Sequence, residues 1–215
     1  MKAKANPFLS DPEHEQIDAA VRAAEANTSG EIVCMIQSAS YHYPLANVMG
    51  GTALALPSAL ALMPVVGGWL WAGTQNVWVF LSLFSLLFAL FYLLVRQWPW
   101  LKRRFISRRE IDEEVEEAAV TSFFRNGLYR TREATGVLIY ISVFERRVWV
   151  LADHGINAKI EKDQWRGLVK TITDGIQNHR PAAAICEAVH DAGDLLATHF
   201  PKRADDTDEL RNVIV

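Results

Sequence analysis

From Ile32 to Val95 the chain carries no Lys, Arg, Asp or Glu, and no other feature restricts its folding so tightly. About twenty apolar residues, rising roughly 1.5 Å each, span the hydrocarbon of a bilayer, so the stretch has length for two crossings. The polar tetrapeptide Gly73, Thr74, Gln75, Asn76 divides it, which predicts a first helix over Leu45–Ala72 and a second over Val77–Val95. The second is apolar all round, with Val79, Phe80, Leu81, Leu83, Phe84 and Leu86 covering every face, a distribution suited to lipid. Pro57 and Pro64 interrupt the first, and bilayer helices tolerate such residues because neighbouring helices satisfy the freed carbonyls.

Aromatic and basic residues orient the hairpin. Trp and Tyr favour the headgroup level; Trp69, Trp71 and Trp78 flank the central turn, while Tyr41, Tyr43, Tyr92, Trp98 and Trp100 mark the opposite level. Both ends of the hairpin are therefore expected on one side. Arg96, Lys102, Arg103, Arg104, Arg108 and Arg109 follow the second helix, and the central turn has no basic residue. Cytoplasmic flanks collect Lys and Arg, so we expect an integral protein of the inner (plasma) membrane with two spans, its soluble domain and both termini cytoplasmic. The basic cluster is read as a topogenic anchor resting on anionic headgroups. No ionisable residue falls within the spans, which argues against an ion or solute pathway.

Outside the hairpin the chain has room for one domain. Residues 1–44 and 97–201 are expected to form it discontinuously, with 45–96 as the hairpin and 202–215 as a polar tail. The start, with Lys2, Lys4, Asn6 and Pro7, lacks the apolar core of a secretory signal. Cys34 and Cys186 lie far apart in sequence without metal-ligand spacing, as expected of small buried apolar residues. Ser10-Asp11-Pro12-Glu13 reads as a helix start, and Ile17, Ala20, Val21 and Ala24 recur on one face of that helix. Glu31 to Ile36 is a strand apolar on both faces, which belongs inside a sheet.

Beyond the membrane, Ser107 with Glu110 is a capping box, opening a helix with Ile111, Val115, Ala118, Ala119 and Phe123 on one face and a stop near Gly127. Its acidic run, Asp112, Glu113, Glu114, Glu116 and Glu117, reads as a solvated face with Arg108–Asp112 and Arg109–Glu113 pairs. Gly136–Ser142 and Arg147–Ala152 read as strands joined by a turn at Phe144, Glu145 and Arg146, hence an antiparallel pair. The first and second strands, linked through a helix, are expected to be parallel. Two more helices close the domain, one with Trp165, Leu168 and Ile172, the other with Ile185, Val189 and Leu196.

Thr28-Ser29-Gly30-Glu31-Ile32, Thr135-Gly136 through Ser142, Glu145-Arg146-Arg147-Val148 and Leu151-Ala152-Asp153-His154-Gly155-Ile156 together resemble the TPM domain, whose plant members work in thylakoid photosystem repair. His199-Phe200-Pro201 and Asp208-Glu209-Leu210 are similar to its bacterial branch of uncharacterised membrane proteins. The resemblance implies a small α/β/α sandwich, in agreement with the mixed sheet read above. It also implies a link to acid phosphatase activity and Ca2+ binding, reported for some members.

Phosphoryl hydrolysis needs concentrated positive charge or a metal and a positioned nucleophile, and the chain has no P-loop and no His-Glu-x-x-His. Asp153 and His154 are the candidate metal or catalytic pair because they leave a strand at its end, where α/β sheets place ligands; a turn or cap role is the simpler and preferred account of them. Glu31 and Asp174 are not expected to join them. His190 and Asp194 read as a surface pair at four-residue spacing beside Asp191. The function expected is a membrane-anchored module supporting assembly or maintenance of a membrane protein complex, with a weak metal-dependent phosphatase as the alternative. Its partners would be the lipid bilayer and a membrane protein, with no nucleic acid.

Overall fold

The computed structural model describes residues 8–203 with Val213 and Ile214, and of Lys162 the backbone alone. Most of the tail, with Asp208-Glu209-Leu210, and the first seven residues lie outside the described residues. The chain divides into two compact units, 1–41 with 112–215, and 42–111.

In the first unit, Ser10 caps α1 (Asp11–Glu25): its backbone N–H and its hydroxyl both donate to the Glu13 carboxylate at 2.7 Å. These bonds hold the Glu13 carboxyl below its ordinary pKa. The sheet follows the order β3-β2-β1-β4. β1 (Glu31–Gln37) and β2 (Gly136–Ser142) run parallel in register from Glu31↔Gly136 to Gln37↔Ser142, as the sequence predicts. β3 (Arg147–Ala152) is antiparallel to β2. A further strand, β4 (Val213–Ile214), pairs in parallel with β1 at Cys34 and Met35. It falls inside the expected polar tail, because two residues are too few to carry a periodic signal.

Strand alternation sends Ile32, Cys34, Ile36, Val137, Ile139 and Ile141 to one face, where they join the core built with α1, α7 (Lys162–Gln177) and α8 (Pro181–His199). Burial drives the Cys34 thiol far above its ordinary pKa, so it behaves as an inert core residue. Val33, Met35, Leu138 and Tyr140 take the other face and are also buried. There α5 (Arg108–Arg125) turns Val115, Ala119 and Phe123 inward, completing a helix–sheet–helix sandwich. Asp112, expected to pair with Arg108, accepts instead from Arg147 of β3 at 2.6 Å. A helix placed along a strand can satisfy its acids across the gap as well as along itself.

α7 and α8 approach so closely that a Cβ on Gly175 would lie 2.0 Å from Cβ of Ala184. Alanine is the better helix former by about 1 kcal/mol, yet here it overpacks the interface. Gly175→Ala is expected to destabilise by roughly 1–3 kcal/mol, read as a lower thermal midpoint; a gain in stability would refute the contact.

The second unit is a helical hairpin. α2 (Pro44–Trp69) and α3 (Val77–Gln97) pack together and are both long and apolar enough to cross a membrane, with mean hydropathy of 1.6 and 2.5 over their most apolar windows. α2 stops at Trp69, short of the expected Ala72, because the chain reverses tightly: Trp71 takes φ 56 and Gly73 φ 87. The Asn76 side chain then caps α3, accepting from Trp78 N at 2.9 Å and Val79 N at 3.4 Å. α3 continues to Gln97, two residues past the expected end.

Candidate functional site

Parallel β1 and β2 bring their carboxyl ends together, the edge at which α/β sheets bind ligands. Beyond β1 the backbone stays extended against the β2–β3 turn: Val143 N donates to Gln37 O at 2.9 Å and Phe144 N to Ser38 O at 3.0 Å. The turn closes with Arg146 in the left-handed region at φ 52, and this geometry drives Glu145 inward. Glu145 is fully buried. Its Oε1 accepts from Ser40 N at 3.0 Å and Tyr41 N at 3.4 Å, and its Oε2 from the Ser142 hydroxyl. A residue read from the sequence as part of an ordinary turn is therefore the clamp of this strand end.

The clamp presents Ser40 to Tyr140, with Oγ and phenol oxygen 3.1 Å apart. Both line a cleft of about 570 Å3 that Gln37 shares, walled by Glu114, Glu117, Ser122 and Arg125 of α5. Burial raises the Tyr140 pKa; the Ser40 hydrogen bond works against it and the Glu145 carboxylate adds to it. Tyr140 thus remains a neutral phenol at physiological pH and cannot take the Ser40 proton. The pair offers hydrogen bonds rather than an activated nucleophile, and the wall adds two carboxylates and a guanidinium for polar recognition.

The raised folded pKa means that the neutral form is favoured by folding. Its contribution is full below the unfolded tyrosine value of about 10 and is lost as pH rises through the folded value. In alkaline absorbance titration, Tyr140→Phe is expected to remove a phenol that ionises above that value. A variant that removes only an ordinary tyrosine step would contradict this burial.

Asp153 and His154 leave β3 at its end as expected, but that end is not the edge at which α/β sheets place ligands. β3 runs antiparallel, so its carboxyl end lies at the amino ends of β1 and β2, opposite the cleft: Asp153 N donates to Gly136 O at 2.9 Å. Asp153 caps the short α6 (His154–Asn157), with Oδ1 accepting from His154 N at 2.6 Å and lying 3.1 Å from His154 Nδ1. Its Oδ2 is buried without a hydrogen-bond partner, and the His154 side chain is 88% exposed. Glu31 begins β1 at this same edge, in register with Gly136, whereas Asp174 lies on α7. Among the described residues no group of three His, Cys, Asp or Glu is placed to hold a metal ion. His190 and Asp194 form an exposed pair at 3.2 Å on α8.

Within the hairpin unit, Trp69, Trp71 and Trp78 are exposed around the central turn. At the other end Trp98 and Trp100 stack with ring centroids 6.3 Å apart, next to Arg96, Lys102, Arg103 and Arg104, with Arg108 and Arg109 following in the first turn of α5.

Residues 105–195 match the family model described as the TPM domain. The NMR structure of the BA42 protein from the psychrophilic bacterium Bizionia argentinensis is similar in fold, with a TM-score of 0.59 and 21% identity over 98% of each chain. No curated protein matches the chain.

Proposed function

We propose, from the premise that this chain carries a TPM domain, that it is a membrane-tethered binding module that holds a partner membrane protein at the cleft between α5 and the β1–β2 edge. The observation that carries this reading is the position of the hairpin in the chain. The hairpin follows directly on Ser40 and Tyr41, which line the cleft, and none of the most apolar window of α3 is buried. An apolar helix left uncovered needs lipid to cover it. In the cleft the Ser40 hydroxyl is paired with the neutral phenol of Tyr140 rather than with a base, which suits binding better than turnover. The basic residues after α3 favour a cytoplasmic domain with both termini on that side.

The test has two arms. Alkaline carbonate should leave the full chain in the membrane fraction, and a thiol introduced by Thr74→Cys should react with an impermeant reagent in intact cells while one from Asp191→Cys should not. A photoreactive amino acid at Thr121, exposed on α5 beside the cleft, should crosslink a membrane-embedded polypeptide, and Glu117→Lys should reduce that adduct at least several-fold. Release by carbonate would overturn the tether, and reversed labelling would overturn the orientation. Phosphomonoester turnover by the purified chain, abolished by Asp153→Ala with the fold intact, would replace binding by hydrolysis.

A further inference from the structure

The segment after α3 is a folded elbow. Trp98 leaves the helix with extended backbone at φ −107 and ψ 100, Pro99 starts the short α4 (Pro99–Lys102), and a 3-10 turn over Arg103–Phe105 follows. Two contacts fix this elbow to the base of the hairpin. The Lys102 ammonium donates to the carbonyl of His42, just before α2. The Phe105 ring fills the notch left by Gly50 of α2: a Cβ there would lie 2.8 Å from Phe105 Cδ2 and 2.9 Å from Val95 Cγ2.

The charge it carries is of one sign. From Arg96 to Arg109 there are six basic residues and no acidic one. Arg96, Arg104 and Arg108 are exposed, as are the stacked Trp98 and Trp100. Guanidinium groups bind phosphate oxygens through paired N–H donors, and indoles settle at headgroup depth. A zwitterionic headgroup would bring its own cation against these arginines, whereas an anionic one would not.

We propose that this elbow is a preorganised site for the headgroup of an anionic phospholipid, with Arg96 and Arg104 on the phosphate and Phe105 in the Gly50 notch holding them in place. This rests on the tether reading, since only a hairpin in the bilayer brings the elbow to headgroup level. It goes beyond general attraction of basic residues to a surface, because a wedge that carries no charge sets the affinity.

Native mass spectrometry of the full chain in mild detergent tests this, with phosphatidylglycerol and phosphatidylcholine offered as probes. Phosphatidylglycerol should be bound about tenfold more tightly, a ratio equivalent to about 1.4 kcal/mol. The double variant Arg96→Gln, Arg104→Gln should bring the two lipids to parity. Gly50→Val, which expels Phe105 while keeping every cation, should lower the preference several-fold, and Phe105→Ala should do the same should Gly50→Val fail to fold. Inorganic phosphate should not displace the lipid. Equal binding of both lipids by the unaltered chain, displacement by phosphate, or full preference in Phe105→Ala would each overturn the proposal. A chain that stays in carbonate-washed membranes yet shows no preference refutes the site alone, whereas release by carbonate refutes the tether.

Discussion

Glu145→Ala is expected to destabilise the sandwich by about 3 kcal/mol, lowering the thermal midpoint of the full chain in detergent by roughly 6–12 °C. The carboxylate is fully buried and accepts from Ser40 N, Tyr41 N and the Ser142 hydroxyl. Its loss removes the acceptor for three donors and opens a void at the strand end. Glu145→Gln keeps one carbonyl oxygen and should cost about half as much. Glu116→Ala, on the exposed face of α5, should shift stability by no more than about 0.5 kcal/mol. A Glu145→Ala midpoint within that control's range would show that the clamp is dispensable.

Replacing residues 45–95 by a short flexible linker is expected to leave a soluble, cooperatively folding domain. The seven-residue register between β1 and β2 is made outside the hairpin. The core cluster on the α7–α8 side contains no residue between 42 and 111. The insertion therefore adds apolar surface without adding to that core, and exchanging it for a short linker costs little chain entropy. Circular dichroism should retain mixed helix and strand with a single urea transition. A spectrum of unfolded chain would mean that the sandwich depends on the hairpin.

The elements legible in the sequence are those with local causes. Ser10 with Glu13 announces α1, the unbroken apolar run from Ile32 to Ile36 announces β1, and the helical recurrence of Leu168 with Ile172, and of Ile185 with Val189, announces α7 and α8. The carboxyl-edge site is not legible, because its parts are distant in sequence: Ser40 and Glu145 are 105 positions apart. Nothing local distinguishes Glu145, whose burial follows from Arg146 taking the left-handed turn, from a solvated turn residue. For Asp153 the information is present: an antiparallel β3 must end at the amino edge of its parallel neighbours. That edge holds caps and strand starts, which is the role Asp153 plays for α6.

The register of β1 against β2 has a consequence for biosynthesis. Ile32 leaves the ribosome long before Val137, its partner in the sheet, and the whole hairpin is translated between them. At roughly 5–20 residues per second, the first strand waits between about five and twenty seconds, with both apolar faces uncovered, while α2 and α3 are being made. The nascent chain must therefore hold an aggregation-prone strand in check throughout synthesis of the hairpin. Sandwich closure then falls late, after α5 and β2 emerge. A ribosome-bound holdase or slowed translation across the hairpin would matter more to the yield of this protein than the final stability of its sheet.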